Sequence, residues 1–151
     1  MILSIAIAVT VADQLTKWAV FAGFRLGEHV TVIPGFFDIR KILNPGAAWG
    51  VLAGRRFLLV AVSAGMLALL WRTRRDILAA GRLCQTGVGL LAGGIAGNLI
   101  DRVKHGFVID FLDFHWGEAY AFPAFNIADS AIFLGIVLYF LSTVLAERKR
   151  S

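Results

Sequence analysis

The chain has 151 residues, 58% of them hydrophobic, with a formal net charge of +5 and one cysteine. A helical span uses about 20 apolar residues, so the four long apolar stretches take up more than half the length and exclude a separate soluble domain. The surplus Lys and Arg flank the apolar runs, where they meet headgroups and set orientation; no nucleic-acid partner is expected.

The first apolar run, residues 1–22, is interrupted by Asp13, Gln14 and Lys17. It is too long, and too polar at its far end, for a cleaved secretory signal. Asp13 and Lys17 are four apart with the acid first, the better order for an ion pair on one helix face. A carboxylate ionised by such a pair is a poor proton donor. Residues 23–50 form a mixed segment in which Thr31-Val32-Ile33 and Phe36-Phe37-Asp38-Ile39 predict short strands broken by Pro34-Gly35. Asn44-Pro45-Gly46-Ala47-Ala48-Trp49-Gly50 reads as a turn into the next span; its glycines would also let a peptide approach, with the Asn44 amide in reach of it.

The second span is predicted over residues 51–71, followed by a short basic turn over 72–82. In the third, 83–102, Gly89, Gly93 and Gly97 recur every four residues and predict a flat stripe for close helix packing. Cys84 reads as a small apolar residue with no disulfide partner and no metal-ligand spacing. Asn98 is placed to bond across to a neighbouring helix, and Asp101 beside Arg102 predicts a pair that pins the helix end. The connection 103–122 is polar and aromatic; its Asp113 and His115 are expected at headgroup level, solvated. The fourth span, 123–146, ends in the basic tail Glu147-Arg148-Lys149-Arg150.

Four spans put both termini on one side. The density of Arg72, Arg74, Arg75 and Arg82, with the basic tail, assigns that side to the cytoplasm. Segments 23–50 and 103–122 then lie outside, and every conspicuous polar island lies with them.

His29, His105 and His115 have no ligand spacing, so no metal is expected. Ser63 and Ser130 lie in apolar spans without a Gly-x-Ser-x-Gly turn, which argues against a serine mechanism. Asp110 and Asp129 remain, neither with a cation within one helical turn in sequence. An acid beside a span is a functional-site hypothesis. Desolvation and a second carboxylate both raise a carboxyl pKa, so such a pair would share one proton, the state aspartic proteases use. The spacing equally fits two unrelated interfacial acids, one capping the fourth span. A small ion-coupled transporter would spread polar residues through several spans, whereas the cytoplasmic halves of spans two and four are nearly uniformly apolar. A non-catalytic assembly or lipid-binding factor would tolerate neutral substitutes for these acids.

At these residues the chain resembles the lipoprotein signal peptidase (signal peptidase II) family of bacterial membrane aspartic proteases. The resemblance rests on five ordered blocks: Asp13-Gln14-x-x-Lys17; Asn44-x-Gly46-x-Ala48-Trp49-Gly50; Gly94-x-x-Gly97-Asn98-x-x-Asp101-Arg102; Val108-x-Asp110-Phe111; and Phe125-Asn126-x-Ala128-Asp129. It implies an all-α membrane protein of four transmembrane helices, with a small extracytoplasmic β-sheet cradle from segment 23–50 and a mobile gating element in 103–122. It implies that Asp110 and Asp129 are the catalytic dyad, and that Asp13, Lys17, Asn44, Gly94, Asn98, Arg102, Asn126 and Ala128 shape or support the site. The implied partners are membrane lipids and prolipoprotein substrates carrying a diacylglyceryl group, cleaved just before the lipid-modified cysteine in the bacterial inner membrane. No cofactor is expected, and a monomer is. Two departures from the family pattern are Trp49, where Phe is usual, and a chain that begins directly in span one without the basic leader of many relatives.

Overall fold

The computed structural model describes residues 1–47, 50–116 and 120–148. Trp49 and the end of the basic tail lie outside the described residues. The elements in chain order are α1 (Ile2–Gly23), β1 (His29–Ile33), β2 (Phe37–Asn44), α2 (Arg56–Arg72), α3 (Arg74–Ala79), α4 (Arg82–Lys104), β3 (Val108–Trp116), β4 (Tyr120–Ala121) and α5 (Ile127–Arg148).

The helices are greasy outside and polar inside. On α1, Leu3, Ile7, Val11, Leu15 and Trp18 are exposed at three- to four-residue spacing, while Asp13 and Lys17 are buried. That arrangement would be costly in water and is natural against lipid tails, which are as apolar as leucine. Among the described residues, α1, α4 and α5 are long and apolar enough to cross a bilayer. α2 has 17 residues, about 26 Å at 1.5 Å per residue. It starts later than the expected residue 51 because the chain turns first: Gly50 and Gly54 have φ of 71° and 78°, and Leu52 has φ of 61°. The basic turn that follows α2 contains the short helix α3.

α4 is the hub of the bundle. A methyl group on Gly93 would lie 2.7 Å from the Ala6 carbonyl oxygen of α1. One on Gly87 would lie 2.8 Å from the Gly135 carbonyl oxygen of α5. The expected stripe of Gly89, Gly93 and Gly97 therefore meets α1, and a second line through Gly87 and Gly94 meets α5. Cys84 is buried beside Ile77 and Val88, as its apolar reading required.

The two expected strands form and pair as a hairpin, with β1 antiparallel to β2 and Gly35 at φ 71° in the turn. The sheet does not stop there. The 103–122 connection, expected as a polar, aromatic link with a gating element and no strand, supplies β3, which pairs antiparallel with β2, and β4 completes the order β1-β2-β3-β4. Residues 108–111 of β3 are all buried, so the strand lacks the apolar/polar alternation by which a half-buried strand is recognised. Under the sheet, Val20, Ile109 and Phe111 form a core with Phe24, Ile39 and Leu43. Lys41 Nζ donates to the Phe21 and Phe24 carbonyls at 2.7 and 2.9 Å, satisfying orphan acceptors at the end of α1 and tying β2 to it.

Asp113 departs from expectation. It is buried, not solvated, and its carboxylate lies 3.6 Å from the Arg40 guanidinium on β2. Asp38 stands opposite it in register. Asp38, Asp113 and His115 each bring an oxygen or nitrogen within 4.8 Å of the others, a grouping invisible in the spacing because it spans two strands.

Candidate active site

Two polar networks meet where α1, α4, α5 and β3 converge. In the first, α1 carries Asp13 and Lys17 into the bundle, at 0% and 1% exposure. Lys17 Nζ lies 2.9 Å from Asp13 Oδ2 and 3.0 Å from Asp101 Oδ2, and donates to Asn98 Oδ1 at 2.8 Å. The remaining acceptors are used as well. Asp13 Oδ1 accepts the Ala128 N–H at 2.9 Å, and Asp101 accepts from Gln14 Nε2 at 2.9 Å and from the Ile109 N–H at 3.2 Å.

The predicted Asp13–Lys17 pair is thus present. The predicted Asp101–Arg102 pair is not: Asp101 bonds Lys17, and Arg102 Nη2 donates to the Gly46 carbonyl at 3.1 Å. Successive helical residues do not face one another, so Asp101 looks toward α1 while Arg102 holds the loop after β2. Asp101 and Gln14 are members of the network that sequence reasoning did not select. Both stand in the blocks that carry the family resemblance, and that was the signal that could have selected them.

The second network surrounds Asp110 and Asp129. Ile42 of β2 is the cross-strand partner of Asp110, so Asn44, two residues on, is its diagonal neighbour on the same face. Asn44 Nδ2 donates to Asp110 Oδ2 at 3.0 Å, and Asn126 Nδ2 donates to Asp110 Oδ1 at 2.7 Å. Asp129 lies in the first turn of α5. Its Oδ1 accepts from Asn98 Nδ2 at 2.7 Å and its Oδ2 from the Asn126 N–H at 3.2 Å. Among the described residues, neither carboxylate has a Lys or Arg within ion-pair distance.

All three asparagines are anchored the same way: Oδ1 accepts from Gly46 N–H, Lys17 or Asp129 N–H, and the NH₂ group is left for an aspartate. Gly94 allows this convergence, since a methyl there would run into the Ala128 carbonyl and lie 2.8 Å from Ile132 Cγ1. Ala128 itself has no exposed surface.

Asp110 is 2% exposed. Burial first, and the charge of Asp129 second, push its carboxyl up from 3.8 to about 7, against the opposing pull of the Asn44 and Asn126 amides and of Lys17. Both aspartates line a cavity of about 910 Å³ with Asn44, Asn98 and Arg102 at its polar end. Phe122, Phe125, Ile132, Phe133 and Ile136 form its apolar wall, so one chamber offers acid/base groups beside a greasy flank.

Residues 5–145 match the family described as signal peptidase (SPase) II. The lipoprotein signal peptidase of Symbiobacterium thermophilum is 42% identical over 145 residues, which is 96% of this chain and 95% of the relative. The chain belongs to the signal peptidase II family. That membership makes it an aspartic peptidase. A lipoprotein signal peptidase of Neisseria meningitidis serogroup C is 44% identical over 149 residues, with 95% and 89% of the two chains covered. A solved bacterial membrane enzyme shares the fold at a TM-score of 0.88 and 33% identity, over 99% of this chain and 91% of that one. A second gives 0.79 at 34% identity, over 94% and 91%.

Proposed function

We propose that Asp110 and Asp129 are the catalytic dyad, activating water to cleave a prolipoprotein just before its diacylglyceryl-modified cysteine. Removal of signal peptides from lipoproteins is the activity of this family member. The observation that carries the dyad reading is a buried Asp110 and a half-buried Asp129 on one cavity, held by amides and, among the described residues, with no cation in ion-pair distance. Such a pair keeps one proton near neutral pH; one member accepts a proton from water while the other donates to the scissile carbonyl. The apolar wall beside it suits acyl chains. Roughly 0.8 kcal/mol per CH₂ is already gained when those chains enter the bilayer, so lipid recognition acts through fit and position. No metal or organic cofactor takes part in this scheme.

α2, apolar from Phe57 to Trp71 with Phe57, Val62 and Leu69 exposed, would be the fourth crossing. The termini then lie in the cytoplasm with the arginines of 72–82, and the dyad faces outward. Both glycine lines of α4 are used inside the chain, which supports a monomer. Segment 103–122 includes the residues that would gate the cavity.

The test is cleavage of a diacylglyceryl-modified prolipoprotein by purified enzyme in lipid, followed by gel shift. D110N and D129N are each expected to lower cleavage by about 10⁴-fold or more while the protein still inserts and folds, and a chelator is expected to change nothing. Wild-type product from either variant removes the dyad. The pH profile adds a signed expectation. Asp110 must carry a proton, so activity falls as pH rises through about 7. The same raised value makes the folded state bind that proton more tightly than the unfolded chain. Its contribution to stability is therefore full below 3.8 and is lost as pH rises through about 7.

A further inference from the structure

We propose that Asn126 and Asn98 are positioning residues that make the dyad unequal: the proton stays on Asp110, the acid toward the scissile carbonyl, while Asp129 keeps the negative charge and serves as the base toward water. This rests on the dyad reading and deepens it by naming which carboxyl does what.

The amide orientations are dictated by groups that can only donate. Asn126 Oδ1 accepts the Asp129 N–H at 2.9 Å while Asp129 Oδ2 accepts the Asn126 N–H at 3.2 Å, a reciprocal cap on the N-terminus of α5. A backbone N–H has no acceptor capacity, so Asn126 Nδ2 must point to β3. There it donates to Asp110 Oδ1 at 2.7 Å, with longer contacts to the Ile109 carbonyl and Asn98 Oδ1 at 3.4 and 3.3 Å. Asn98 Oδ1 is held by the Lys17 ammonium, likewise a pure donor, so its Nδ2 must face Asp129.

The two carboxyls therefore receive different company. Asp129 has a backbone N–H at the positive end of a helix, and an amide polarised from behind by an ammonium. Asp110 sits on a strand and receives two side-chain amides, neither bonded to a cation. Charge counting agrees. The groups around Asp110 are Lys17 from α1, Asp129 from α5, Arg102 and Asp101 from α4, and neutral Asn44 from β2, with Asp13 behind Lys17. With Asp110 neutral, three carboxylates already oppose two cations, and a fourth would add to the excess in a buried region.

Hydrolysis then balances without outside help. Water oxygen bonds to the scissile carbonyl carbon as its proton passes to Asp129, and the Asp110 proton goes to the carbonyl oxygen, giving a gem-diol. The carbon–nitrogen bond breaks as Asp129 returns a proton to the leaving nitrogen and Asp110 takes one from a hydroxyl. Both residues end as they began.

The experiment is the pH dependence of kcat/KM for a diacylglyceryl-modified prolipopeptide, measured on the full enzyme in lipid. N126S keeps an N-cap acceptor for α5 and removes the amide donor to Asp110. Losing a donor to the charged form makes Asp110 hold its proton more tightly, so the basic limb should move up by about one pH unit. N98S removes the donor to Asp129, so the acid limb should move up instead. Both limbs are properties of the pair, and it is the movement of a different limb in each variant that reads out the assignment. The reverse pattern, or stationary limbs in folded enzyme, overturns the proposal. If N126S fails to fold, N126T retains the cap and N98S decides alone: an acid limb moved upward supports the assignment and any other result overturns it. Cleavage surviving in D110N or D129N would instead defeat the dyad reading itself.

Discussion

Asp13 and Asp101 share an ammonium between them; among the described residues, Asp110 and Asp129 are held by amides and a backbone N–H alone. The residue type is the same, and Asp110 is as buried as Asp13 and Asp101, with Asp129 half-buried, yet the chemistry differs. A buried carboxylate bonded to Lys17 has its charge and position fixed, which suits it to hold three helices together. A buried carboxylate without a cation keeps a proton that can move. Asn98 joins the two regions, accepting from Lys17 on one side and donating to Asp129 on the other. The cation thus orients the site without sitting in it.

The largest way to break this contrast is Lys17→Met. It leaves Asp13 and Asp101 buried at 0% and 2% exposure without their cation. Removing one partner of a buried ion pair costs about 3–5 kcal/mol. Thermal unfolding in detergent should show that loss, with activity falling further than the amount of folded protein, because Asn98 loses the donor that orients its amide toward Asp129. D110N should behave differently, losing activity with a much smaller drop in unfolding temperature, because it gives up one amide hydrogen bond and leaves no charge without its partner. A K17M protein as stable as wild type would show that the ammonium is not what holds the helices.

Half of this contrast was legible in the sequence. The spacing of Asp13 and Lys17 on one helix face announced their pair, and the apolar neighbours of Asp110 and Asp129 announced acids without local cations. The second partner of Lys17 was not legible, because Asp101 lies on another helix and its sequence neighbour Arg102 offered a plausible but misdirected match. Nor was β3, whose first four residues are buried on both faces, so that Asp110 looked like part of a loop. The strand matters because it aims Asp110 across the sheet at Asn44. The glycine stripe toward α1 showed its period plainly. The line toward α5 did not, since Gly87 and Gly94 are seven apart and the partner that needs the space is a carbonyl.

Gly94 therefore offers a sharper, smaller perturbation. A methyl there meets the Ala128 carbonyl and Ile132, forcing α5 away from α4 and drawing Asp129 off Asn98, while the Lys17 bonds to Asp13 and Asp101 stay inside the α1–α4 pair. Gly94→Ala is expected to cost about 1–3 kcal/mol of stability and to reduce kcat more than it raises KM. Gly65→Ala on α2 is the control, since a methyl there meets nothing within 4 Å. It should be neutral, or stabilising by up to about 1 kcal/mol. Equal losses from the two would mean that the close approach of α5 to Gly94 carries no cost of its own and that α5 does not set the position of Asp129.

The smallest effect is expected at a third kind of aspartate. Asp113 is paired, as Asp13 is, but with a guanidinium that is 45% exposed and 3.6 Å away, against 2.9 Å for Lys17. Water screens that pair from one side, and exposed pairs are worth about 0–1 kcal/mol. Arg40→Ala should therefore lower stability by less than about 1 kcal/mol, by an amount that shrinks with added salt, and should leave cleavage unchanged. A loss as large as that of Lys17→Met would mean that solvent exposure of the cation does not separate the two pairs, and that the sheet depends on Arg40 to offset Asp38 and Asp113 facing each other in register.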